Sequence, residues 1–185
     1  MKLADVVEKM KAVVATAVPG QEVQRSRQVL ELAGGFLVGA LARSEERGQV
    51  AILMLDTELG QLVFAYPHHL ARGNFVPVDR NSIAGRVMLD TEVVIQNNVP
   101  NEPHRDFFER IPGPEGKPRP IQKMVAAPLL APDGKAIGVV EVSRTGANLA
   151  EAGQDFTPQD GDNLAKTCKV LAPWFARTWV REKGY

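Results

Sequence analysis

The sequence predicts an α+β fold, an antiparallel sheet with helices at both ends of the chain. Both terminal stretches repeat apolar residues at steps of three and four, the spacing of an amphipathic helix. The middle of the chain switches to short apolar runs of strand length. Turn sequences rather than helices join most of these runs, so neighbouring strands are expected to be antiparallel hairpin partners. At 185 residues the chain has the length of one domain with helical extensions. Residues 1–20 read as an N-terminal amphipathic extension and 21–185 as the domain.

Leu3, Val6, Met10, Val13 and Ala17 form the seam of the first helix, which Pro19-Gly20 ends. A second helix is predicted from Gln21 to Arg43, with Val23, Leu30, Ala33, Leu37 and Leu41 on one side. Its glycines, Gly34, Gly35 and Gly39, weaken it but permit a close approach to a neighbour. QVAILMLD and QLVFAYP flank the turn TELG as a hairpin, and NFVPVD is a short extended piece. In NSIAGRVMLD, Ser82 is placed to cap a helix barely two turns long, and Gly85 is read as clearance over the sheet. EVVIQNN follows as a strand.

Residues 99–120 contain six prolines and read as a loop, with a short helix near Asp106–Glu109. IQKMVAAPLLA and KAIGVVEVSR form a second hairpin around Pro132-Asp133-Gly134. FTPQD opens the last helix, with Thr157 as cap, Pro158 in the first position and Asp160 in the third. Pro173 is expected to kink it.

Composition narrows the function. Basic and acidic residues balance at 22 each, so no overall field favours nucleic acid or an anionic membrane. The longest apolar run, residues 32–42, is about half of what a membrane span needs. The one cysteine, Cys168, rules out an intrachain disulfide and any CxxC motif, and fits a cytoplasmic setting. It lies on the apolar seam of the last helix with Leu164 and Leu171, which is a core position. Adjacent His68 and His69 on an extended segment would point apart, so with His104 they read as polar loop residues rather than metal ligands.

Several of these segments, in this order, resemble a GAF domain, the sensory module of phytochromes, cyclic-nucleotide phosphodiesterases and many bacterial regulators. SIAGRVMLDTEVVIQNNVPNEP is similar to that family's glycine-isoleucine-alanine-glycine turn, its following strand and its Asn-Val-Pro segment. MVAAPLLAPDGKAIGVVEVSR is similar to its late hairpin, and FTPQD to the start of its final helix. The resemblance covers about residues 22–180. It implies a six-stranded antiparallel sheet with the terminal helices on one face and a pocket under short helices and loops on the other. It also implies a role in ligand sensing or dimerisation, with the signal passed on through the terminal helices or to a separate effector protein.

By the same resemblance, backbone amides at Ile83 and Ala84 would approach a ligand, although Ser82 stands where the ligand-binding members have glycine. The candidate ligand-binding set is Phe64, Asp79, Ser82, Ile83, Ala84, Arg86, Gln96, Phe107, Met124 and Ala126. Arg86 is the cation for an anionic ligand, and the loop with His104, Arg105, Phe107 and Phe108 is a candidate lid. A cyclic nucleotide is not expected, because the phosphodiesterase signature is only partly kept in Ser143-Arg144, Phe156 and Asp160. Arg144 and Asp160 are expected to form a structural ion pair. The chain also lacks the pocket cysteines of the family's methionine-sulfoxide-reducing branch and of bilin attachment, so no enzymatic activity is expected. Leu3, Val6, Met10, Val13, Trp174 and Trp179 are candidates for a homodimer interface. The expected function is therefore a non-catalytic sensor of an unidentified small molecule; the alternative is a dimerisation or docking module without a ligand.

Overall fold

The computed structural model describes residues 2–16, 18–42, 48–70, 74–102 and 120–181. The expected short helix and lid, with His104, Arg105, Phe107 and Phe108, lie outside these residues. Four α-helices are described: α1 (Leu3–Ala15), α2 (Glu22–Leu37), α3 (Ile83–Asp90) and α4 (Pro158–Thr178). The strands are β1 (Gly48–Asp56), β2 (Gln61–Tyr66), β3 (Phe75–Pro77), β4 (Val94–Gln96), β5 (Ile121–Leu130) and β6 (Ala136–Thr145). They form one six-stranded sheet in the order β3-β2-β1-β6-β5-β4. Every pairing is antiparallel. This is the predicted fold class, with the elements in the predicted order.

Alternation along the strands divides the core in two. On one face Ile52, Met54, Val125, Ala127, Val140 and Val142 meet α1, α2 and α4. On the other, Leu53, Phe64, Met124, Ala126 and Val139 meet α3. The helical layer is shut by α1 itself, because Val6 and Met10 are fully buried within the protomer. These two residues are thereby removed from the expected dimer seam: a side chain at 0% exposure has no surface left for a second copy. Leu3, Val13, Trp174 and Trp179 are half-buried against the same core.

Two details of the helices differ from the sequence reading. α2 gives way at Leu37 to a wider π-helical turn, Val38–Ala42, instead of running to Arg43 as an α-helix. α4 continues through Pro173 without a break. The carbonyl that Pro173 leaves without its usual donor belongs to Lys169, an exposed residue of the helix. Gly34 does permit a close approach: a Cβ there would lie 2.4 Å from the Tyr66 ring. Nothing approaches Gly35 or Gly39 within 4 Å.

The start of α4 is tied to β6 and β4. Thr157 N and Oγ1 both donate to Asp160 Oδ2 at 2.8 Å, and Asp160 N donates back to Thr157 Oγ1 at 3.3 Å, the predicted capping box. Arg144 donates to the carbonyl of Gln154. Its guanidinium lies 4.1 Å from the centre of the Phe156 ring. Buried Arg144 thus holds the segment before α4 through Gln154 and Phe156, and Asp160 holds the start of the helix through Thr157.

Candidate functional site

α3 packs into the sheet more tightly than its expected role as a pocket roof requires. Ile83 and Ala84 are 0% and 2% exposed, and Val87 and Met88 are buried beside them. Ser82 Oγ accepts a hydrogen bond from Gly85 N at 2.9 Å, so the serine caps the helix as its position suggested. Gly85 is a clearance residue, but its neighbour is not the sheet. A Cβ there would meet the main-chain oxygen of Asp79 at 2.0 Å. The glycine therefore lets the Asp79–Ser82 turn fold back on the helix it leads into.

The remaining members of the candidate set are placed as follows. Asp79 Oδ1 accepts from Asn81 N at 2.9 Å. Arg86 donates to Glu102 Oε2 at 3.1 Å, so its charge is already matched by a carboxylate. Gln96 Oε1 accepts from Asn98 N at 2.8 Å, and Gln96 pairs with Met124 across β4 and β5. Met124 and Ala126 are buried in the α3-side core. Phe64 lies in that core too, and also borders a cavity of about 90 Å³ with Ser26, Leu30, Trp179 and Arg181. Arg181 pairs with Asp56 at its margin. Arg86 and Ser82, on which an anionic ligand would depend, are both occupied by the protein itself.

A roomier cavity, about 190 Å³, lies where β2 parts from β1. Its origin is local. Tyr66 pairs with Ile52, and the next residue, Pro67, has no N–H with which to extend the ladder. The chain turns into the short 3₁₀ segment His68–Leu70, and Gln49, Val50 and Ala51 keep a ladder partner only in β6. Val38, Tyr66, Pro67, His69 and Leu70 stand around the opening, over a floor of Gln49, Val50, Ala51, Glu141 and Ser143.

Glu141 is the unusual member. It sits in mid-strand on β6, 2% exposed, directly between Ala51 of β1 and Ala126 of β5. Its strand neighbours are small, and the residue borders the cavity with both carboxyl oxygens buried. Neither carboxyl oxygen has a hydrogen-bond partner among the described residues, an expensive arrangement for a buried polar group. Burial pushes its pKa up to about 8. This residue was absent from the sequence-derived set. An acidic residue within GVVEVSR, alternating with valines, reads as the solvent face of a half-buried strand. Only the register shows both that the face is covered and that alanines flank it.

Cys168 is 1% exposed among Leu164 and Leu171, on the helical side of the sheet. Burial raises its thiol pKa far above the ordinary value. His68 Nε2 lies 3.2 Å from Glu31 Oε1. Among the described residues, no group of three or more His, Cys, Asp or Glu is placed to hold a metal ion. No described helix is long and apolar enough to cross a membrane.

Comparison with solved structures agrees with the architecture. The chain is similar to the GAF domain of an Acinetobacter phosphoenolpyruvate-protein phosphotransferase, at 16% identity and a TM-score of 0.64, over 95% of this chain and 90% of that one. The corresponding domain from Coxiella burnetii aligns at 15% identity and TM-score 0.61, over 96% of each chain. The free methionine-R-sulfoxide reductase of Neisseria meningitidis, in complex with its substrate, aligns at 20% identity and TM-score 0.58, over 95% of this chain and 89% of that one. No family model matches the chain, and no curated protein matches it. The chain has the GAF fold.

Proposed function

We propose that this chain is a non-catalytic sensory domain that binds a small molecule in the cavity over Ala51, Glu141 and Ser143. The observation that carries the reading is Glu141, a buried carboxyl with no hydrogen-bond partner among the described residues, on a residue that borders the cavity. Proteins rarely keep such a group unless something completes it. The ligand site is therefore displaced from the N-terminus of α3 towards the open end of the β1–β2 hairpin. Thiol chemistry has no support, because Cys168 lies on the other side of the sheet and its burial favours the neutral thiol.

Occupancy has a short route to the helices. Val140 and Val142, on either side of Glu141 in sequence, belong to the core shared with α1, α2 and α4. A ligand that favours one position of β6 would bias the packing of those helices, the only way binding can shift a conformation. The helices would pass the change to a second copy or to a separate effector protein. A homodimer would use the outer face of α4, where Val170 is exposed one turn before half-buried Trp174.

A thermal-shift screen of metabolites against the wild-type chain and an Ala51→Leu variant tests the site. Compounds that stabilise the wild type should lose their effect when leucine fills the cavity. Stabilisation that survives in the variant, or no stabilising compound at all, would remove the basis for this reading. Equilibrium sedimentation tests the dimer independently.

A further inference from the structure

We infer that the ligand of this cavity is a small organic cation, an ammonium or amidinium group on a compact apolar body, held by the carboxylate of Glu141. This rests on the ligand-site reading above and adds the chemical class. Three features of the cavity point the same way.

Charge comes first. The described residues bordering the cavity include no lysine or arginine, and Tyr66 and His69 are the only other titratable ones. None of these described residues offsets an ionised Glu141 or would attract an anion. A cation with several N–H donors supplies both missing elements, a counter-charge and partners for two oxygens at once.

The walls come second. Val38, Pro67, Leu70 and the Tyr66 ring are apolar or aromatic, so the ligand's carbon body can be desolvated against them.

Size is the third. An apolar cavity of about 150 Å³ accepts benzene, so the 190 Å³ observed here suits a body of that size carrying one extra group.

Binding balances without a co-reactant. In the empty domain the raised pKa keeps Glu141 mostly as the neutral acid at pH 7. When the cation enters, the carboxyl proton leaves to solvent, so the cavity gains one positive and one negative charge together. Uptake of the ligand therefore releases a proton.

The test uses benzylammonium chloride, benzyl alcohol and sodium benzoate. Each is titrated into the full chain calorimetrically at pH 6.5 in two buffers of different ionisation enthalpy, and mapped by backbone amide shifts. Benzylammonium is expected to bind at least about tenfold tighter than the alcohol, a difference of about 1.4 kcal/mol. It should shift the amides of Ala51, Glu141 and Ser143, and release close to one proton. Glu141→Gln should bring it down to the alcohol's affinity, and Ala51→Leu should abolish binding while the amide spectrum stays folded. If the alcohol or benzoate binds as tightly as the cation at those amides, the cation is wrong and the site stands. If none of the three perturbs those amides, the cation and the site both fall.

Discussion

Asn97 clasps the main chain of Phe156 with both ends of its carboxamide. Its Nδ2 donates to the Phe156 carbonyl at 3.0 Å, and its Oδ1 accepts from the Phe156 amide at 2.8 Å. The side chain imitates one rung of a sheet between the end of β4 and the approach to α4. It holds Phe156 where Arg144 covers its ring. Asn97→Ala should remove both bonds and cost about 1–3 kcal/mol, at about 0.5–1.5 each. Urea unfolding measures the loss, and an unchanged midpoint would show that the clasp adds no stability.

Adjacent glycines on α2 should respond with opposite signs. Gly35 is exposed with nothing near it, so Gly35→Ala should stabilise the chain by about 0.5–1 kcal/mol through helix propensity. Gly34→Ala places a methyl 2.4 Å from the Tyr66 ring, which also packs edge-on against His68 at a centroid distance of 6.4 Å. The ring must move, and overpacking of about 1–3 kcal/mol outweighs the propensity gain. Thermal melts of the two variants would separate the cases.

At α3, Gly85→Ala should be worse than Ser82→Ala. The alanine Cβ would sit 2.0 Å from a main-chain oxygen, which cannot swing aside as a side chain can. The serine variant loses one cap bond, about 1 kcal/mol. Denaturation midpoints in the reverse order would mean that the Asp79–Ser82 turn yields easily.

Glu141 should make stability fall with rising pH. Its folded pKa, about 8, lies above the ordinary value of 4.5. Between those values the unfolded chain has given up a proton that the folded chain retains, so each pH unit favours unfolding. The contribution is fully present below pH 4.5, declines through the interval and levels off above about pH 8. In Glu141→Gln this decline should vanish, and the variant should be the more stable at neutral pH. Guanidine unfolding from pH 5 to 9 gives the comparison; parallel curves for the two proteins would contradict the assignment.

Cys168 should be inert to a thiol reagent in the folded chain and react fully in denaturant, since its thiol is both buried and held neutral. Rapid native-state labelling would contradict this placement.

The sequence made the architecture legible because its signals are local. Period and turn chemistry located the two hairpins, and Thr157, Pro158 and Asp160 marked the start of α4. Ser82 was readable as a cap for the same reason. Gly85 was only half readable: its need for space is visible in the sequence, but the neighbour it avoids, Asp79, is not. Val6 and Met10 showed an apolar seam without showing what would cover it. Glu141 was missed because its environment is made by Ala51 and Ala126, residues brought beside it only by strand register.

The strand order also governs when the domain can exist during synthesis. β1 pairs with β6, so Gly48 lies opposite Arg144, and β4 finds its partner only in β5. A nascent chain that has emerged as far as Asn98 holds a three-stranded meander whose β1 edge still lacks its partner, and a stray fourth strand. Closure waits for the β5–β6 hairpin, which inserts between them and covers both at once. Until then the unpaired N–H and C=O groups along the edge of β1 are available to any other unfinished strand, so this is the interval in which a chaperone is most useful.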